Sequence, residues 1–184
     1  MFSLSRPHRR RAAAARRLAT TYVSLIRGTP LLVQIFLIYY GLPLLGIELS
    51  PIVAGILALS LNASAYLSES IRGAMLAIHQ GQWAASYSLG LTYWQTLGYI
   101  IIPQALRSAV PALSNTLISL IKDTSLVSVI TVTELMLATK EIIATTFRPL
   151  PLYAMAAVVY WILSMGFEML QHVVERRLNT GAQR

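Results

Sequence analysis

Apolar runs separated by short polar stretches dominate the chain. Three uncharged runs, at residues 28–47, 49–68 and 149–167, are long enough to cross a bilayer. At about 1.5 Å per residue, about twenty residues match a hydrocarbon core of roughly 30 Å. A fourth run, 108–121, continues past KDTS into LVSVITV and predicts a crossing broken near KDTS, followed by a shorter helical or re-entrant piece at 132–146. The pattern predicts an all-α polytopic transmembrane helix bundle of about four spans.

Composition agrees with a membrane protein. The 184 residues are 55% apolar and 12% charged, with a mean hydropathy of +0.60, whereas soluble domains contain about 25% charged residues. The length suits one domain. The chain has no cysteine, which excludes disulfides and thiolate metal sites.

The basic residues cluster at the two ends. Seven of the fifteen Lys and Arg lie within residues 6–27, and three more are Arg176, Arg177 and Arg184. This placement predicts cytoplasmic flanks for a membrane domain rather than a nucleic-acid-binding arm, so no nucleic acid partner is expected. The expected segments are a basic cytoplasmic or interfacial stretch at 1–27, a transmembrane domain at 28–175 and a cytoplasmic tail at 176–184. Both termini and the loop at about 76–103 then face the cytoplasm.

The stretch GQWAASYSLGLTYWQTLGYIIIP, at 81–103, is too polar and aromatic for a span. Trp83 and Tyr87 fall at helical spacing before Gly90, and Trp94 and Ile101 fall at helical spacing after it. Glycine supplies a sharp break, and Pro103 is expected to end the second helix or kink it. The residues predict a helix-turn-helix elbow. Either its aromatic side chains anchor it at the lipid headgroups, or it is a docking surface for another protein.

Polar residues inside the spans form two stripes at i, i+4 and i+7. One comprises Asn62, Tyr66 and Glu69, and the other comprises Asn115, Ser119 and Lys122, with Asp123 following. Polar groups facing lipid cost a few kcal/mol, so we expect both stripes to face the bundle interior. Hydrogen bonding between helices and lining of a solute pathway are the two explanations, and Gln34 fits either.

Two charged pairs, Tyr160 and the histidines have simpler explanations than contact with a solute or a metal. Lys122 and Asp123 favour a salt bridge or a helix-break cap over solute contact. Glu69 and Arg72 are expected to form a surface pair or gate, and Tyr160 is expected to pack within its span. The three histidines lack ligand spacing, so no metal site is predicted. No catalytic residues are predicted either, because no Ser-His-Asp set, HExxH or paired carboxylate motif is present.

Three motifs in order resemble polar amino acid permease subunits of ATP-binding-cassette importers. They are RGTPLLVQIFLIYYGLP at 27–43, the elbow with QALR, and KDTSL at 122–126. The family's loop pattern is Glu-Ala-Ala, three residues, Gly, nine residues, Ile, two residues, Pro. Ala85, Gly90, Ile100 and Pro103 keep its register, while Ala84 replaces the glutamate. The resemblance covers roughly residues 17–175.

The resemblance implies a non-enzymatic permease. A cytoplasmic ATPase would bind the elbow. This chain is expected to bind no cofactor, because the partner binds the ATP and no Walker sequence is present here. A second permease subunit, identical or closely related, and an extracytoplasmic amino-acid-binding protein complete the implied assembly in the inner membrane. The coupling residues implied are Gly81, Trp83, Ala84, Ala85, Gly90, Ile100 and Pro103. Which amino acid is carried stays open, with a weak preference for cystine.

Members of the resembled family usually have one more transmembrane helix before RGTP, and here it is expected to be absent. A truncated, inactive permease fragment is therefore one alternative. An ATP-independent channel or carrier is another, and an intramembrane enzyme is disfavoured for want of a nucleophile or metal set. Capture of a cytoplasmic ATPase that is lost when the elbow is deleted distinguishes a permease from a channel.

Overall fold

The computed structural model describes residues 6–180, with side chains described for 13–173 and 175. Residues 1–5 and 181–184, which belong to the predicted N-terminal segment and tail, lie outside the described residues. All regular secondary structure in the described chain is helical, which confirms the predicted class. The helices are α1 Arg6–Arg27, α2 Leu31–Phe36, α3 Pro51–Ala77, α4 Gln80–Ser88, α5 Tyr93–Gln95, α6 Ile102–Asp123, α7 Leu135–Thr146 and α8 Pro149–Thr180. Wider π-helical turns lie at Leu37–Gly41 and Thr96–Ile101, and tighter 3-10 turns lie at Leu42–Leu45 and Thr124–Ile130.

Helix α3 lies at the centre and packs against α1, α2 and α6. Its buried side chains are small, with one amide among them: Ala54, Gly55, Ala58, Asn62, Ala63 and Ala65. Because small residues let helix backbones approach closely without a hydrophobic driving force in lipid, this stripe suits a membrane bundle. At one end it meets Ile35, Val127 and Ile130, which complete the core.

Three helical segments are long and apolar enough to cross a membrane: Pro51–Ala77, Tyr93–Ile130 and Pro149–Val173. A fourth crossing counts only if two helical pieces, Ala13–Arg27 and Leu31–Leu45, form one span bent by 108°. The crossing predicted over 28–47 corresponds to the second of these pieces, whose fifteen helical residues change geometry twice, and it stays a prediction. Large apolar side chains, such as Leu150, Trp161 and Ile162, stay exposed on α8, as expected for a surface solvated by lipid.

The bend between α1 and α2 is held by Gln34, whose side chain is buried. Its amide nitrogen donates to the carbonyls of Ile26, at 2.7 Å, and Thr29, at 3.1 Å. Its amide oxygen accepts from Asn62 Nδ2 at 3.1 Å, which ties the bend to α3. One turn before the bend, the Tyr22 hydroxyl donates to the Leu61 carbonyl at 2.7 Å. Helix α1 ends at Arg27 and packs against α3, and the segment boundary expected at residue 27 stays a prediction.

Of the two outcomes expected for Pro103, the end of a helix is excluded and the kink stays a prediction. Helical structure runs from Tyr93 to Ile130, with Pro103 in the first turn of α6. The wider turn at Thr96–Ile101 precedes it, and such turns accommodate a proline that lacks an amide hydrogen. The Gln104 side chain donates to the Ile100 carbonyl at 2.9 Å and helps to satisfy the backbone there.

Residues 124–146 match the predicted break and the shorter helix. After Asp123 the chain tightens into 3-10 turns over Thr124–Ile130, and α7 follows. Glu134 caps α7, since its carboxylate accepts from the amides of Met136 and Leu137 at 2.8 Å. The Tyr160 side chain does more than pack within its span. Its hydroxyl donates to the Glu134 carboxylate at 2.8 Å and so attaches α8 to α7.

We predict that Gly55→Leu destabilises the protein while Gly73→Leu, in the same helix, does not. A Cβ at Gly55 would lie 3.1 Å from Val127 Cγ1, whereas nothing lies within 4 Å of one at Gly73. Overpacking of this kind typically costs about 1–3 kcal/mol. Thermal unfolding of the two purified variants in the same detergent measures the difference, and equal loss in both would contradict the packing described for α3.

Candidate functional site

The elbow turns at Gly90, whose φ of +79° favours glycine. The Gly90 amide donates to the Tyr87 carbonyl at 3.0 Å, and the Leu91 amide donates to the Ser86 carbonyl at 3.1 Å. This pair of bonds is the Schellman ending of a helix. Thr92 then starts the second arm through a reciprocal capping box with Gln95. The predicted break at Gly90 is confirmed in its geometry.

Contacts between side chains join the two arms of the elbow. The rings of Trp83 and Tyr93 stack with their centroids 5.7 Å apart. Gln104 Nε2 lies 3.4 Å from Gln82 Oε1, which links α6 to α4. Because Tyr93 begins the helical run that ends at Ile130, the elbow is fixed to that run rather than hanging from it as a loose loop.

An exposed patch covers the tip of the elbow. It includes Leu89 (81% exposed), Trp94 (76%), Tyr93 (52%) and Tyr87 (48%). None of these four residues is among the predicted coupling residues. Those lie at the turn, with Gly90, and along both arms: Ala84, Ala85 and Pro103 are exposed, Trp83 and Ile100 are half-buried, and Gly81 is exposed and donates its amide to His79 Nδ1. The structure thus collects all seven on one helix-turn-helix unit.

A cavity of about 490 Å³ lies between α3, α6 and the bend. Both polar stripes reach it, because its lining includes Asn62, Tyr66, Asn115, Ser119 and Asp123. Amides, hydroxyls and one carboxylate can together bind a polar solute that carries a positive charge. Of these five residues only Asn62 is buried, whereas Tyr66, Asn115 and Ser119 line the cavity but stay exposed, so their role in a solute pathway stays a prediction.

The remaining predicted pathway residues do not line this cavity. Gln34 lies behind Asn62 as the clamp of the bend. Lys122 is exposed, and the described ion pairs do not join it to Asp123, whose carboxylate makes no capping hydrogen bond. The salt bridge or cap expected for this pair is therefore wrong.

Glu69 lines a second cavity, of about 870 Å³, between α1 and α3. Arg16, Arg27 and Arg72 also line it, and Tyr66 borders both cavities. The Arg72 side chain donates to both oxygens of Glu69, with Nε at 2.8 Å from Oε2. The expected Glu69–Arg72 pair is present, and Arg27 joins it with Nη1 3.6 Å from Glu69 Oε1.

A family model described as "Binding-protein-dependent transport system inner membrane component" matches residues 3–180. The chain belongs to this family. It is 49% identical over 161 residues to the L-cystine transport system permease protein TcyB of Bacillus subtilis (strain 168), covering 87% of this chain and 69% of that protein. It is 40% identical over 166 residues to the glutamine transport system permease protein GlnP of Escherichia coli (strain K12), covering 89% and 76%.

Solved structures have the same fold. A crystal structure of an amino acid ABC transporter with histidines matches with a TM-score of 0.82 and 40% identity, covering 87% of this chain and 75% of that chain. An inward-facing structure of the MetNI methionine ABC transporter matches in fold with a TM-score of 0.72 and 20% identity, covering 91% and 77%. The chain is accordingly a multi-pass inner membrane permease component, non-catalytic itself, and a partner ATPase hydrolyses the ATP.

The sequence analysis did not predict two interactions of this permease, and for Gln34 it gave hydrogen bonding between helices as only one of two explanations. Arg27 stacks on Tyr66, with its guanidinium carbon 5.4 Å from the ring centroid. Gln34 clamps the bend, and Glu134 caps α7 while it binds Tyr160. All three join residues far apart in the chain or across a break, where helical periodicity carries no signal. The only available signal was the burial cost of Gln34 and Glu134 inside apolar surroundings.

We expect Gly90→Val to abolish transport while membrane insertion persists, and Gly90→Asn to retain part of it. A left-handed conformation costs an ordinary residue roughly 1–2 kcal/mol and a β-branched one more, whereas asparagine tolerates it. Gly98→Ala is the matched control, since a Cβ there meets nothing within 4 Å. Solute uptake and the amount of protein in isolated membranes are the readouts. Full uptake by Gly90→Val would refute the role of this turn.

Proposed function

We propose that this permease carries a polar L-amino acid into the cell, with L-cystine as the first candidate. The support is the 49% identity to an L-cystine permease protein over 87% of the chain, with a glutamine permease protein at 40%. The polar cavity beside Asn62 suits such a solute, because it offers amides, hydroxyls and a carboxylate in the middle of an apolar bundle.

Within this proposal, the solute passes through the smaller cavity. Asp123 is the charged group that faces a zwitterion there, and it pairs with the ammonium group. The amides of Asn62 and Asn115 and the hydroxyl of Ser119 contact the rest of the solute. Asn62 also serves the bend through Gln34, so it combines a structural and a solute-contacting role.

The elbow docks on the ATPase in this scheme. Its exposed Leu89, Tyr93 and Trp94 form a compact apolar knob at the end of a rigid arm. No carboxylate is available at Ala84, so burial of apolar surface supplies the contact. The basic residues at both ends support a cytoplasmic location for the termini and the elbow.

A second permease subunit and an extracytoplasmic binding protein complete the proposed assembly. Asn115, Ser119 and Lys122 are exposed on a spanning helix, where polar groups are costly against lipid. A second subunit facing this side of α6 encloses them in a watery pathway instead. The family description, which names binding-protein-dependent transport, supports delivery of the solute by a separate protein.

Reconstitution of the permease with its ATPase and binding protein in liposomes tests the function. We expect uptake of radiolabelled L-cystine to require ATP inside the liposomes and to be displaced by unlabelled L-cystine roughly tenfold better than by L-arginine, since polar contacts discriminate at this level or above. Liposomes in which the ATPase carries an inactivating substitution are the control. Uptake of equal rate without ATP would indicate a channel or carrier, and would overturn the proposal.

A further inference from the structure

Tyr66 borders both cavities, and the charged side chains that line the two cavities differ. The smaller cavity has the Asp123 carboxylate in its lining, and among its described side chains there is no lysine or arginine. The larger cavity has three arginines and Glu69. A solute that moves from the smaller cavity to the larger one passes Tyr66 and leaves an acidic environment for a basic one.

Arg27 is the cation at this boundary. Its guanidinium lies over the Tyr66 ring at 5.4 Å, and the chain reaches the lining of the smaller cavity two residues later, at Thr29. Arg16 lies eleven residues earlier on the same helix, which corresponds to about 16 Å. Arg72 is held by two hydrogen bonds to Glu69.

Arg27 is also the least engaged partner of Glu69. Its Nη1 lies 3.6 Å from the carboxylate, too long for a hydrogen bond, and its side chain is 42% exposed. Because Arg72 already satisfies both oxygens of Glu69, Arg27 can turn to another carboxylate without leaving Glu69 unpaired. Guanidinium groups bind carboxylates through two parallel hydrogen bonds, which favours this side chain over an ammonium.

We infer that Arg27 binds the α-carboxylate of the transported amino acid as it passes Tyr66. This inference rests on the proposed amino acid transport. Asp123 and Arg27 then form opposite poles for the two charged groups that every amino acid carries. Arg27 thereby selects for amino acids as a class, and the side chain of the solute contacts the uncharged residues that line the smaller cavity.

Binding of two ligands that differ in the carboxylate tests the inference. The complex of permease and ATPase, purified without the binding protein, is titrated with L-cystine and with cystamine, which lacks both carboxylates. We expect Arg27→Gln to weaken L-cystine binding by about 10- to 100-fold, the range for a lost charged hydrogen bond. Cystamine binding should change less than about threefold, so that the preference for the carboxylate collapses.

Two further variants keep the test decisive. Arg16→Gln removes the same charge from the same cavity and should preserve the preference for L-cystine. Arg27→Lys retains a charge without the planar fork and should give an intermediate preference; it replaces Arg27→Gln if that variant does not fold. Wild-type preference in a folded Arg27 variant would overturn the inference alone. Failure of the wild-type complex to bind L-cystine would instead overturn the proposed substrate, and the inference with it.

Discussion

The structure depends on the small side chains of α3. Alanines and Gly55 bring α1, α2 and α6 close to one central helix. In lipid the association of helices comes from close packing and internal hydrogen bonds, because the hydrophobic effect does not distinguish side chains from lipid tails. The single amide in this stripe, Asn62, binds Gln34 and so fixes the bend between α1 and α2. One face of one helix thus sets both the packing of the bundle and the position of the polar cavity.

Continuity of helical structure connects the elbow to that cavity. The second arm of the elbow begins at Tyr93, and the same helical run carries Asn115, Ser119 and Asp123 on the cavity wall. About twenty-two residues separate Tyr93 from Asn115, or roughly 33 Å of helix. In the proposed assembly, a displacement of the elbow by a docked ATPase would therefore move the wall of the cavity. The Trp83–Tyr93 stack and the capping box join the two arms of the elbow and oppose its deformation.

Local patterns predicted the parts of this molecule that local physics decides. Glycine at position 90 predicted the turn, and i, i+4, i+7 spacing placed Asn62 and Asn115 on faces that meet in one cavity. The bend after Arg27 escaped prediction, because an uncharged run of twenty residues looks the same whether it is straight or bent. Pro103 left an end or a kink of the helix as alternatives for a related reason: the wide turn before it is supported by the Gln104 side chain, which a local pattern does not reveal. Long-range contacts, such as Arg27 on Tyr66, leave no periodic signal.

In the proposed assembly, ATP on the partner changes the cavity through the elbow. The chain has no cysteine, so Asn115→Cys introduces a single reactive thiol on the cavity wall. Its labelling by a membrane-impermeant maleimide is measured in the complete complex, without nucleotide and with ATP on a hydrolysis-deficient ATPase. We expect labelling rates that differ severalfold between the two states and that become equal when Gly90→Val is added. Equal rates in both states with an intact elbow would contradict this expectation.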